Sequence, residues 1–458
     1  MIENDAFKLL LINLFHLNPD DIANILCTTF NKMMVLVVTL TDKHQACPYC
    51  GFTAPKIKEY VTKEITHSAL TTQKCIIKYR ARRYKCSCCG KTYYEFNPFV
   101  FKSQKISILT VHNILKDLKD FNETFTSVAR RYHVSPTSVS TIFDNHVDIG
   151  RNPLPEIINF DEVYAFKSEK SKYVCVLLDF KKQIPVDVLP NRKKEYLLNY
   201  FQKIPLEERK KVKYACSDMY EVYRDVVHKV FPESKHLLDY FHLSQDFHKK
   251  MNEVRIKVMK GYKDDKASDE YYLLKKFNWL LFKNPEDEDK YGRLFDVERE
   301  RKYNSHFKSY MNYYDLRKKL LEINNDLTIC YSLKLELVDF YSKSTIDNAQ
   351  VNLEHLIRSF IDTNIEEMIK FSNNLINWKQ EIINSFTIVG TEYKVEADKG
   401  QVVVCNKKVN NAIIENRNKI IKCIKNNANG YTNWLRFRNR VMYVLDPNAT
   451  FSLEPREK

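Results

Sequence analysis

Apolar residues in short unbroken runs or at alternate positions mark strands, and apolar residues at intervals of three and four mark helices. The middle of the chain switches between these patterns several times. Residues 157–166 (IINFDEVYAF) have a β-branched entry and an aromatic exit, the composition of a buried strand, and hold Asp161. Residues 172–180 (KYVCVLLDF) predict a second strand and 184–189 (IPVDVL) a third, after a short polar turn. Residues 192–204 carry apolar positions at helical spacing. Residues 212–217 (VKYACS) predict a short fourth strand ending at Asp218. A helix over 221–231 is stopped by Pro232, and 236–238 lead a fifth strand into Asp239, with His242 just beyond.

The predicted order, β-β-β-α-β-α-β, is that of the ribonuclease-H-like nuclease fold. In that arrangement the first and fourth strands are neighbours, so Asp161 and Asp218 face one another. A carboxylate in a buried strand is costly unless compensated, and a bound cation compensates several at once. Glu162 falls on the opposite face of its strand from Asp161. Asp179 and Asp187 compete for a metal role, but their strand positions fit it less well.

The flanking segments carry their own patterns. Residues 1–40 predict a short helix and a strand. Two turns follow, CPYCG at 47–51 and CSCCG at 86–90, with a predicted hairpin over 57–65 and 74–84 between them. Paired CxxC turns, each with a following glycine, present four thiolates to one zinc, so Cys47, Cys50, Cys86 and Cys89 are the expected ligands of a zinc ribbon. A redox CxxC is the rival reading; Cys88, His67 and Cys75 are alternative ligands that fit less well. The run KYRARRYK at 78–85 places Arg80, Arg82 and Arg83 among aromatics, a pattern that suits phosphate contact. In 121–146 two helices flank Val134-Ser135-Pro136. This predicts a helix-turn-helix with Ser135 as an N-cap and a second helix bearing Thr137, Ser138 and Ser140 toward a major groove. From 245 to about 390 the chain is charged, aromatic and helix-periodic, predicting an insertion of four to six helices in which Trp279 and Trp378 are core residues. A hairpin is expected around Asp398-Lys399-Gly400. In the helix over 411–427, Glu415, Asn418, Lys419 and Lys422 share a face. That set suits a metal-ligand carboxylate with phosphate-binding neighbours; a solvated Glu–Lys pair is the plainer alternative. Arg436 and Arg438 in WLRFRNR extend the basic surface.

The chain has 458 residues, room for about three domains. Its formal net charge of +15 favours a polyanionic partner. With only 8 glycines it has no glycine-rich phosphate loop. No apolar run is long enough to cross a bilayer, and Glu3 and Asp5 do not fit a secretory signal. Six of the 12 cysteines cluster near the two knuckles; Cys27, Cys175, Cys216, Cys330, Cys405 and Cys423 sit in apolar contexts that predict reduced core residues.

Taken in order, CPYCG…RRYKCSCCGKTYYE, the helix-turn-helix, FDEVYAFK, SDMYEVYRDVVHKVFP, DYFH and NAIIENRNKIIKCIKNNANGYTNWLRFRNRV resemble the bacterial insertion-sequence transposases of the ISL-three family, over about 45–445. The resemblance implies a DDE transposase that cleaves DNA and transfers strands at insertion-sequence ends. It implies Asp161, Asp218 and Glu415 as the acidic triad, with two Mg2+ or Mn2+ ions, and Asp239 with His242 as a supporting DxxH pair. Asn426 departs from it, since a basic residue is expected there. The expected class is a multidomain α+β protein: a zinc-ribbon region (1–100, the ribbon at about 45–95), a helix-turn-helix (101–150), a ribonuclease-H-like core (151–244 and 406–458) and a helical insertion (245–405). Its expected partners are double-stranded DNA and further copies of itself, in the bacterial cytoplasm. The alternatives are an inactive DNA-binding regulator and a nuclease without strand transfer.

Overall fold

The computed structural model describes residues 2–43, 46–53, 55–68, 72–101, 104–166, 171–395 and 402–456. Lys167 of the FDEVYAFK motif and the turn at Asp398-Lys399-Gly400 lie outside these, as does the Cys405 side chain. The fold is mixed α/β, with sixteen α-helices among the described residues.

The N-terminal part is a helix, α1 (Ile2–Leu14), on a sheet. Strands β1 (Ile22–Phe30), β2 (Met33–Leu40), β3 (Lys56–Thr66), β4 (Cys75–Lys85) and β5 (Thr92–Tyr94) order as β1-β2-β4-β3, with β5 also on β4. The sequence pattern predicted one strand before residue 40, but there are two. Asn31 and Lys32 both take positive φ, 49° and 60°, and turn the run into a hairpin. Cys75, Ile77, Tyr79 and Ala81 alternate inward on β4 and form the core with Leu36 and Ile25.

Helices α2 (Ile108–Asp117), α3 (Phe125–Arg131) and α4 (Pro136–His146) pack around Val111, Leu115, Val128, Val139 and Phe143. Thr124 caps α3 and Ser135 caps α4, each accepting the amide three residues on.

The central sheet follows the predicted order. β6 (Ile157–Val163), β7 (Val174–Asp179), β8 (Pro185–Leu189), β9 (Tyr214–Ser217) and β10 (Lys235–Leu238) are arranged β10-β9-β6-β7-β8. β6 runs antiparallel to β7 and parallel to β9, and β9 parallel to β10. Helices α5 (Lys194–Gln202) and α7 (Glu221–Val230) cover one face, α6 (Leu206–Arg209) being an extra turn between α5 and β9. The insertion begins earlier than the pattern suggested. α8 (Tyr240–Lys260) starts directly after Asp239, which occupies its N-cap position.

Six more helices follow: α9 (Asp269–Lys276), α10 (Tyr313–Glu322), α11 (Asn325–Lys343), α12 (Ala349–Ile361), α13 (Glu366–Asn377) and α14 (Lys379–Asn384). With α8 they make seven, above the expected four to six, because short breaks at polar residues such as Asn324 start new helices without any Pro or Gly. Two minimal hairpins, β11 (Glu288–Asp289) with β12 (Gly292–Arg293) and β13 (Lys302–Asn304) with β14 (Ser309–Met311), interrupt the series. Trp378 is buried in this core and Trp279 packs against it. The hairpin β15 (Ile388–Val395) and β16 (Val402–Lys408) returns the chain to the central sheet. There α15 (Ala412–Asn427) and α16 (Trp434–Leu445) cover the second face.

Candidate active site

The central sheet brings three aspartates to adjacent parallel strands: Asp161 lies within β6, Asp218 directly follows β9 and Asp239 directly follows β10. Asp161 shares a face of β6 with Asn159, and this face receives α15. Asn159 and Asn411, both fully buried, fix the helix there: the Asn159 amide donates to Asn411 Oδ1 at 2.7 Å and to the Asn410 carbonyl at 2.8 Å. Two turns further, Asn418 Nδ2 donates to Asp161 Oδ2 at 2.7 Å. The other Asp161 oxygen accepts the Glu162 amide at 2.7 Å.

Burial dominates the electrostatics. It pushes the Asp161 carboxyl up to about 7, with the neighbouring Asp218 charge adding to the effect. Burial likewise pushes Asp218 up to about 7, and raises Asp239. Asp218 Oδ1, His242 Nε2 and Asn418 Oδ1 are all buried without a hydrogen-bond partner. Orphaned buried atoms on two potential metal ligands, beside carboxylates held near neutrality, are what a divalent cation would satisfy.

The fourth carboxylate comes from α15. Glu415 Oε1 lies 4.0 Å from His242 Nε2, which is 3.9 Å from Asp239 Oδ2. Ligand atoms of Asp239, His242 and Glu415 all fall within 4.8 Å of one another. Asp239 and His242 make no hydrogen bond, since α8 begins at Tyr240 and puts His242 on its first turn. One expectation is corrected here. The set that closes around Glu415 is Asp239–His242, whereas Asp161, Asp218 and Glu415 form no equally tight group among the described residues. The first turns of α8 and α15 converge here, and their partial positive ends favour negative charge.

The competing acids are occupied elsewhere. Asp179 accepts the Lys181 and Lys182 amides as a turn residue. Asp187 accepts Tyr200 and Arg438, each at 2.7 Å. Glu162, on the far face, pairs with Arg192.

The four thiols also meet. Cys47 and Cys89 Sγ are 3.7 Å apart, and Cys50 and Cys86 Sγ 3.5 Å. Zinc–sulfur bonds of about 2.3 Å in a tetrahedron put sulfurs about 3.8 Å apart, so the set is compatible with zinc. The knuckles are built alike. The amides of Gly51 and Gly90 donate to the carbonyls of Cys47 and Cys86, and both glycines take positive φ, 76° and 72°. Cys88 is exposed and outside the group; Cys75 is core; His67 is buried between Ser107 and the Phe15 carbonyl. Cys423, expected in the core, is exposed on α15.

Several arginines expected on DNA have partners within the chain. Arg82 binds Glu95 at 2.7 Å and the Leu40 carbonyl at 3.1 Å, and Arg83 binds Glu59 at 2.7 Å. Arg436 forks onto Asp144 at 2.9 and 2.6 Å, and Arg438 onto Asp187 and the Ile149 carbonyl. Asn418 is buried at Asp161 and faces away from solvent. Ser138 shares a hydrogen bond with the cap residue Ser135, and Ser140 donates to the Thr137 carbonyl. Arg80, Ser135, Thr137, Lys419 and Lys422 are exposed.

Comparison with known proteins supplies the family. Residues 158–397 match the ISL3-type DDE family, described as a transposase. That span exceeds half of the chain, and the chain belongs to this transposase family. The transposase for insertion sequence element IS1001 of Bordetella parapertussis is 19% identical over 412 residues, 89% of this chain and 91% of that protein. The function is DNA transposition, by a DNA-processing enzyme of a family that uses divalent metal.

Proposed function

We propose that DNA is cut and rejoined at Asp161, Asp218 and Glu415, with Asp239 and His242 completing the ligand set. The observation that carries this reading is the meeting of Asp161, Asp218 and Asp239 at three adjacent strands, Asp161 and Asp239 buried and Asp218 half-buried, with the helix bearing Glu415 packed against β6. The strand order and the crossing of α15 over β6 support a ribonuclease-H-like core. Asp161 and Asp218 would hold one Mg2+ or Mn2+ ion, and Asp239, His242 and Glu415 a second. Two such ions supply Lewis acidity that activates water or a 3′-hydroxyl and stabilises the leaving oxygen. Asn418 keeps Asp161 oriented. With burial raising them to about 7, Asp161 and Asp218 are only partly ionised near neutral pH, and a bound cation would favour their ionised form.

The remaining parts would handle DNA. Helices α3 and α4, joined by the His133–Ser135 turn, suit a helix-turn-helix with exposed Thr137 toward the major groove. Structural Zn2+ in the four-thiolate site would hold the β4–β5 edge, and Arg80, exposed on β4 beside Tyr60, would meet phosphate. Lys419 and Lys422 would meet phosphate beside the cut. Two transposon ends imply two such sites, hence a homo-oligomer on double-stranded DNA. The domain limits follow as 1–100, 101–150, 151–244 with 406–458, and an insertion whose first helix starts at Tyr240.

The test uses DNA flanking this reading frame. Asp161→Asn and Glu415→Gln should bind end DNA as the wild type does and fail to cut it with Mn2+. Normal cutting by either variant would remove that residue from the site.

A further inference from the structure

A cavity of about 530 Å³ opens between the central sheet and the helical insertion, and its lining includes both Asp239 and Glu415. The end of β10 and the first turn of α8 supply one side, α11 another, and the residues leading into α15 a third. This volume lies in the range that accepts a small organic ligand, beyond what an ion needs. Its surface is largely apolar, and Tyr240, Phe241 and Tyr341 line it, with Phe386 behind Tyr341. The Tyr240 and Tyr341 rings are 3.9 Å apart, and Tyr341 stacks on Phe386 at an interplanar angle of 20°. Phe241, in the lining, leaves 49% of its surface exposed. Polar groups are few and placed. The Tyr341 hydroxyl is buried beside Ser385, and Ser342 and Asn410 line the same space. Lys408 brings a cation to it, its Nζ 4.4 Å above the Phe386 ring.

The neighbouring carboxylates pose a steric problem that this cavity answers. Asp161 is 7% exposed and Asp239 only 4%, so they lie beneath the surface. A stacked duplex is too wide to press a phosphate into such a recess. A strand can do so once a nucleotide next to that phosphate leaves the stack, and the base then needs somewhere to go. Aromatic faces with a few hydrogen-bonding groups accept any base by stacking, and a lysine beside them meets the phosphate.

We propose that the cavity receives one unstacked nucleobase of the DNA strand being cut, stacked on Phe241, with Lys408 at the adjoining phosphate. The proposal rests on the acid cluster being the cutting site, and it gives the helical insertion a task, since α11 forms one wall.

The experiment pairs protein variants with abasic DNA. End DNA is prepared with an abasic nucleotide at each position beside the cut phosphate in turn, and the full chain cuts it with Mn2+. Phe241→Ala should slow cutting of intact DNA by roughly tenfold, the loss expected for one stacked base. At one abasic position the variant and the wild type should cut at equal rates. Ser342→Trp, which fills the cavity from α11, should behave in the same way. With Ca2+ in place of Mn2+, 2-aminopurine at that position should brighten on binding wild type more than on binding Phe241→Ala. If both variants keep their defect at every abasic position, or if Phe241→Ala cuts intact DNA at the wild-type rate, the cavity holds no base. A wild-type chain that cuts no end DNA would overturn the acid cluster as well, whereas normal cutting without these differences overturns the cavity alone.

Discussion

Asn418 and Glu415 sit one turn apart on α15, so the helix that supplies an acid also orients one. Replacing the amide in Asn418→Leu keeps the volume and removes the donor to Asp161. A hydrogen bond to a charged group contributes about 1.5–3 kcal/mol, so cleavage should fall roughly tenfold to a hundredfold. Binding of end DNA should stay unchanged; equal cleavage rates would exclude the positioning role. The aspartates give a second expectation. Burial lifts Asp161 and Asp218 to about 7, above the roughly 3.9 of an unfolded chain. The folded protein therefore holds protons that the unfolded chain gives up, and its metal-free stability falls as pH climbs from about 4 through about 7. Divalent cation binds the ionised form, so the rise in Tm on adding Mg2+ should be larger at roughly pH 8 than at roughly pH 5. An equal rise at both would show that no ion binds these groups. His242 adds a nitrogen donor to a set of oxygens, which favours Mn2+ over Mg2+. His242→Ala should narrow the ratio of Mn2+- to Mg2+-supported cleavage.

Among the elements, the strands of the central sheet were legible because burial on both faces leaves unbroken apolar runs, and Asp161 and Asp218 stood out against them. The knuckles were legible for a local reason, since CxxC-Gly encodes its turn within five residues. What escaped was everything fixed by distant partners. Nothing near Asn159 announces Asn411, and nothing near Arg436 or Arg438 announces Asp144 or Asp187; a run of arginines reads as a DNA surface until its carboxylates are found. The start of α8 escaped because Asp239 serves both as strand end and as helix cap, leaving no linker to notice. Two elements yield clear tests. Cys86→Ser should lose zinc by metal analysis and loosen the β4–β5 edge, while Cys88→Ser keeps it; full zinc in Cys86→Ser would end the four-thiolate reading. On α16, Arg440 is buried and its Nη2 donates to the Asp120 and Glu123 carbonyls at 2.8 Å, tying α2–α3 to the central sheet. Arg440→Ala leaves those carbonyls unpaired and opens a void, at a cost of about 3 kcal/mol by chemical denaturation. A change under about 1 kcal/mol would mean the contact holds nothing together.

For the whole molecule, a surplus of +15 persists even though many arginines are paired internally, so lysines carry much of the free charge. Each phosphate neutralised contributes a slope of about −0.9 in log affinity against log salt. The double variant Lys419→Ala, Lys422→Ala should therefore flatten that slope by roughly two units. An unchanged slope would place both lysines off the DNA. The order in which the polypeptide is made adds a last consequence. The four thiolates, the α2–α4 bundle and all three aspartates come before Ala412, but Glu415, Asn418 and the α16 clamp come after it. On the reading proposed above, a ribosome that stops early, or a frameshift inside the insertion, would release a product with the proposed zinc ribbon and helix-turn-helix encoded but the proposed site incomplete. Such a fragment is expected to compete for the same ends without breaking them, so the late placement of Glu415 would make premature termination a brake on the element's own movement.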